Sequence, residues 1–178
     1  MFTELAKSRR SVRRYSQKPV GREKLDAIIE SVLRSPTGGA RRPWTFVVVT
    51  DSTLRQKLSI AKPGGAAFVK DAPVAVVVCG DPSVSALWVE DCSIAAATMQ
   101  YASQSMGLGS CWAHIKGNNF DETTTSRDYV AGLLGLPDNL EVLCIVSIGY
   151  PADETVPYNT GDLRYDRVSY NRYGRNRD

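Results

Sequence analysis

The run of residues 85–106 constrains the fold of this chain more than any other. Trp88, Cys92, Ala95, Met99, Ala102 and Met106 recur every three or four residues, the period of a helix, and Gly107 stands where a left-handed residue closes one. Leu87, Ile94 and Ala96 lie off that stripe, so the helix is apolar over much of its circumference and needs cover on two sides. Ala95-Ala96-Ala97 permits close approach of another backbone. A subunit interface and a central core helix both meet that demand, and the sequence leaves the choice open.

Around this helix the pattern alternates. Residues 2–7 form a short amphipathic helix, with Phe2, Leu5 and Ala6 on one face. From Arg22, the positions Leu25, Ile28, Ile29, Val32 and Leu33 keep helical spacing until Ser35-Pro36 stops them. Residues 46–50 are β-branched and continuous, which predicts a strand buried on both faces; residues 73–79 predict a second and residues 142–148 a third. Asp51 or Ser52 caps a helix running to Leu58, residues 109–115 read as a short strand or turn, and residues 125–134 as a helix ended by Gly135 and Pro137. After Pro151 the chain is irregular, polar and dotted with aromatics, and such a tail is stable only against another surface. The expectation is one α+β domain spanning residues 1–178, a mixed central sheet flanked by helices.

Bulk properties exclude several classes. The chain is 43% hydrophobic and 23% charged, which suits a globular domain rather than a disordered or membrane protein. Its apolar runs are far shorter than the ~20 residues of a spanning helix, and Thr3, Glu4 and Lys7 interrupt any leader-like core, so the cytoplasm is the expected location. Cys79, Cys92, Cys111 and Cys144 are scattered without a C-x-x-C pair and read as buried free thiols. His114 is the only histidine, which rules out a His-rich metal centre, and no metal is expected. Arginines cluster at residues 9–14 and 41–42, and again as Arg164, Arg167, Arg172, Arg175 and Arg177. No nucleic-acid motif accompanies them and aromatics are not interleaved, so a small phosphorylated ligand explains the first two clusters better.

Arg9, Arg10, Ser11 and Arg13 would supply planar charged forks with a neutral donor between them, which suits a phosphate monoester; a solvated basic turn is the alternative. The stretch Ser35-Pro36-Thr37-Gly38-Gly39-Ala40-Arg41-Arg42-Pro43-Trp44 brings pliant backbone and small side chains to a flat ligand. Trp44 and Trp112 read as core or interface aromatics. There is no Ser-His-Asp arrangement, catalytic carboxylate pair or activated Cys. A cofactor that carries the chemistry fits that absence.

The order of these motifs resembles the FMN-dependent nitroreductase family. The likeness rests on Arg9-Arg10-Ser11-Val12-Arg13, on Ser35-Pro36-Thr37 followed by Arg42-Pro43-Trp44-Thr45-Phe46, on Asp91 through Gly107-Leu108-Gly109-Ser110-Cys111-Trp112, on Leu136-Pro137, and on Ile148-Gly149-Tyr150-Pro151. It implies a homodimer with two FMN sites at the subunit interface and an extended C-terminal tail exchanged across the dimer. Arg9, Arg10, Ser11 and Arg13 would bind the FMN phosphate and ribityl chain, and Arg164, or else Arg167, would add a phosphate contact. Pro36, Thr37 and Gly38, with Ala40 beside them, would lie against the isoalloxazine from the partner subunit. The backbone of Ile115-Lys116-Gly117 would face flavin N5, with Lys116 and Gly117 the catalytic positions; His114 beside them would be structural or a proton donor. The implied activity is hydride transfer from NADH or NADPH to nitroaromatic, quinone or similar acceptors by a ping-pong mechanism. An FMN-storing or FMN-sensing protein, or a relative that dehalogenates or fragments flavin, is the alternative. Ala40 and Arg42 depart from the family's Asn and Gln.

Overall fold

A computed structural model describes residues 1–175. The β-branched runs form an antiparallel sheet of β1 (Trp44–Val49), β2 (Val74–Gly80), β3 (Gly109–His114) and β4 (Glu141–Gly149), in the order β1-β2-β4-β3. The helices are α1 (Phe2–Ser8), α2 (Arg22–Leu33), α3 (Ser52–Leu58), α4 (Trp88–Ser105) and α5 (Ser126–Leu134). The architecture is α+β as expected, and its parallel component among the described residues is the single bridge between Ser11 and Ser110.

Strand period sorts the core into two layers. Val74, Val76 and Val78 face α2 and α4 with Ile28, Val32, Cys92 and Met99, while Ala75, Val77 and Cys79 face α3, α5 and the turn Ala67–Asp71. The register slips between Val78 and Cys79, so Leu143 and Cys144 of β4 both fall in the α4 layer. All four cysteines are free and buried.

Two expectations need correction. Strand β1 is not buried on both faces: it lies at the sheet edge, pairs only with β2, and leaves Thr45 and Val48 exposed. The long helix begins at Trp88 rather than Ser85, because the Ser85 hydroxyl accepts the Leu87 N–H and its carbonyl the Trp88 N–H, which makes a turn there. Leu87 and Ile94 are exposed and Ala96 is buried, so the apolar surface off the main stripe is divided. Other local signals hold. The Asp51 carboxylate caps α3 by accepting the Leu54 N–H, Thr125 caps α5, and Gly135 ends α5 at φ 67°.

Candidate functional site

The basic segment after α1 is fixed to the sheet. Val12 is buried and donates its N–H to the Ser110 carbonyl at 3.0 Å; its side chain lies where a Cβ on Gly109 would come within 2.5 Å of it. The Tyr15 hydroxyl lies 2.7 Å from the Ser147 hydroxyl and donates to the Val12 carbonyl at 2.5 Å, holding the segment from the other side. Burial drives the Tyr15 phenol well above its ordinary range, so it stays a neutral hydroxyl.

Val12 points inward, so its neighbours point out. The Cys111 thiol is pushed up by burial and pulled back by Arg13, Ser11 and Arg9. Among the described residues, no carboxylate lies within ion-pair distance of Arg9, Arg10 or Arg13, whereas the next residue, Arg14, meets Asp153 at 3.1 Å. Arg9 approaches the Tyr101 ring at 6.0 Å and Arg13 the Phe68 ring at 5.9 Å. Arg10 turns instead to the tail, where its guanidinium lies 3.7 Å from the Tyr158 ring centroid. Ser11 and Arg13 border a surface hollow whose other side is formed by Asp153, Glu154 and Thr155, and Arg9 and Arg10 lie near rings outside it.

Arg164 stands apart. Asp166, two residues on, takes it in a two-bonded fork at 2.8 and 2.7 Å, and also attracts Arg167 at 3.5 Å. Arg177 lies outside the described residues.

Past the end of β3, the Ile115 and Lys116 N–H groups both donate to the Leu143 carbonyl, at 3.0 and 3.1 Å. The Asn118 N–H closes a turn onto the Ile115 carbonyl, with Gly117 at φ 71° in its third position. Gly117 therefore carries the N–H of this turn that has no acceptor among the described residues. The Lys116 ammonium lies 5.9 Å from the Trp88 ring, away from its own backbone donor. His114 stacks near Trp112 at 6.2 Å; burial first, then Lys62 and Lys116, lower its pKa, which favours the neutral ring near pH 7.

The loop of residues 36–42 packs on the start of α4. Its Gly38 N–H donates to Asp91 Oδ1 at 2.8 Å, and Thr37 accepts the Ala40 N–H on its carbonyl and the Arg42 N–H on its hydroxyl. Gly39, Ala40 and Arg42 all have positive φ. Among the described residues, no hydrogen bond, ion pair or ring contact joins this loop to residues 9–13. Asp91 is the residue that periodicity missed, since a single acidic position inside a helical stripe carries no local sign that its partner lies across the fold.

The arrangement is thus a set of arginines without ion-pair partners flanking Ser11, a free N–H just past β3, and a strained loop bonded to the start of α4. The sequence signature of the Nitroreductase family matches residues 6–61 and 55–150 of this chain. The chain belongs to the nitroreductase family. An Archaeoglobus fulgidus protein provisionally named NADH dehydrogenase/NAD(P)H nitroreductase is 35% identical over 166 residues, covering 90% of this chain and 92% of the relative. The FMN-dependent nitroreductase of Clostridium difficile R20291 superposes with a TM-score of 0.93 at 38% identity, over 95% of this chain and 98% of that one. The NADPH:FMN oxidoreductase of Vibrio harveyi, solved in complex with NAD+, gives a TM-score of 0.79 at 25% identity, over 97% of this chain and 77% of that one.

Proposed function

We infer that this nitroreductase-family chain is a flavin oxidoreductase that binds FMN and takes its electrons from NADH or NADPH, the whole of residues 1–178 acting as one FMN-binding domain. The observation that carries the reading is the basic segment after α1. Arg9, Arg10 and Arg13 flank Ser11 along the chain, and among the described residues none of the three is ion-paired, a donor set suited to the doubly charged phosphate of FMN. Arg9, Ser11 and Arg13 hold that phosphate, and Arg10 borders the ribityl side while it clamps the tail through Tyr158. Arg164 joins them only by leaving Asp166.

Ile115 anchors the turn in which Gly117 presents its backbone N–H toward flavin N5, while the Lys116 N–H is held by the Leu143 carbonyl and Lys116 serves by shaping the turn. The partner subunit's Pro36, Thr37, Gly38 and Ala40 cover the isoalloxazine, which requires a homodimer with FMN at its interface. The exposed apolar and aromatic side chains of residues 151–175 support that assembly, because a tail exchanged across the dimer gains the cover its own chain does not give. Bound FMN supplies hydride chemistry between the nicotinamide and a nitroaromatic, quinone or similar acceptor, and two substrates using one face in turn gives ping-pong kinetics. The protein's part is to fix the cofactor, exclude water from one face and aim N–H dipoles where negative charge develops.

Among the described residues no helix is long and apolar enough to cross a membrane, and we place the enzyme in the cytoplasm. The test is direct. Purified protein should carry or take up FMN, lose its yellow colour under anaerobic NADH or NADPH, and regain it with a nitroaromatic or quinone. Colourless protein without affinity for FMN would overturn the reading, and yellow protein that neither nicotinamide bleaches would favour an FMN-binding protein without turnover.

A further inference from the structure

Asp91 is the one buried carboxylate among the described residues, at 2% exposure. A carboxylate is expensive to bury unless donors or a cation meet it. Among the described residues, neither oxygen has a cation within ion-pair distance. Oδ1 accepts the Gly38 N–H at 2.8 Å, and Oδ2 is shielded from solvent with no protein donor at all. What offsets the burial is the first turn of α4, whose free N–H groups favour negative charge, together with that one bond to a loop.

The loop has few other ties. Among the described residues, Asp91 to Gly38 is the only hydrogen bond between residues 36–42 and the rest of the protein; the others close within the loop. Those internal bonds fix its shape and leave its place undetermined. The shape is strained, with φ of 58° at Gly39, 55° at Ala40 and 50° at Arg42. Left-handed backbone at two residues with a Cβ persists only where surroundings over-determine it. Gly38 itself lies flat on α4, since a Cβ there would come within 2.7 Å of the Leu87 methyl.

We propose that Asp91 is a positioning residue whose carboxylate, through the Gly38 N–H, anchors the loop of residues 36–42 in the place from which it covers the flavin across the dimer. The proposal rests on the FMN reading above. One charge-assisted bond is enough because no second hydrogen bond holds the loop in place. The helix supplies rigidity, so the loop's strain is carried by α4 and not by the flavin.

Three substitutions test it: Asp91→Ala, Asp91→Leu and Asp91→Asn, each purified as the dimer. FMN dissociation constants are read from quenching of flavin fluorescence, and the melting of each flavin-free protein is recorded beside them. Ala and Leu should weaken FMN binding on the order of tenfold, and Asn, which keeps an acceptor for Gly38, should bind within about threefold of wild type. Leu keeps the branched outline of the side chain, removes the buried charge and leaves no void where Ala would. Ala and Leu variants that melt lower yet bind FMN like wild type would assign Asp91 to stability alone and overturn the proposal. Asn as weak as Ala would overturn the hydrogen-bond assignment. Wild-type protein without affinity for FMN overturns the function and the anchor together, whereas tight wild-type binding beside unaffected variants overturns the anchor alone.

Discussion

Strand β2 and the C-terminal tail are opposite answers to the same demand. Every side chain of Val74–Gly80 is buried, and every residue from 151 to 175 is exposed. Yet the tail is not polar: Val156, Tyr158, Leu163, Tyr165, Val168, Tyr170 and Tyr173 all stand in solvent in the single chain. The strand takes cover from its own helices. Ala152 reaches the Arg14 carbonyl and Asp153 the Arg14 guanidinium, which tie the tail's first residues to the segment after α1. Farther along, Tyr158, Leu163 and Tyr165 border a hollow of roughly 690 Å³ against Ala6 and Lys7 of α1. Burial completed within one chain marks the scaffold, and burial left incomplete is the surface that the proposed dimer would cover.

The largest expected effect breaks this comparison outright. A chain ending at Pro151 keeps the sheet and both core layers, so it should remain folded, sediment as a monomer and lose FMN affinity on the order of a hundredfold or more. Sedimentation and FMN titration check both parts; a truncated chain that still dimerises and binds FMN would show that the tail is ornament. Next in size is Gly109→Ala. Its methyl would press on Val12, whose packing holds the basic segment to β3, so overpacking should cost about 1–3 kcal/mol in denaturant unfolding and weaken FMN binding.

Ala40→Gly should be stabilising. Relief of the left-handed strain at φ 55° is worth about 1 kcal/mol, or roughly 2–4 °C in melting temperature. Ala40→Asn separates strain from chemistry, because an amide that reaches the flavin should also raise the FMN reduction potential, which potentiometric titration reads. The smallest effect concerns the interior thiols. Burial pushes Cys79 and Cys92 up from 9.0 to about 12, so both should stay unreactive toward a thiol reagent at pH 8 in the folded protein. The folded state holds these protons longer than the unfolded chain, so their contribution to stability is complete below pH 9 and declines as pH rises toward 12, which chemical denaturation at successive pH values would follow.

What could be read from the sequence was local. The valine runs of β2 and β4, the Thr125 cap and the Gly135 stop declare themselves through period and backbone preference, and the basic residues around Ser11 through charge alone. Edge position is not local: β1 has the β-branched composition of a central strand and becomes an edge only through the order of pairing. Burial of a polar group is not local either. Asp91 meets Gly38 across 53 residues, and Tyr15 meets Ser147 across 132, so nothing in the neighbouring sequence signals either bond. The same limit applies to Ile115, Lys116 and Gly117, where only the fold shows that Leu143 already takes the first two N–H groups.

The central claim is that Arg9 and Arg13 around Ser11 recognise a phosphate, and riboflavin, which is FMN without that phosphate, tests it most directly. Binding of FMN and of riboflavin should be measured for the wild-type protein and for the Arg9→Ala, Arg13→Ala double variant at one salt concentration. The account predicts that wild type prefers FMN strongly, that the double variant loses roughly ten- to a hundredfold in FMN affinity, and that its riboflavin affinity hardly moves. A wild-type protein that binds riboflavin as tightly as FMN, or a double variant that keeps the full preference, would contradict it.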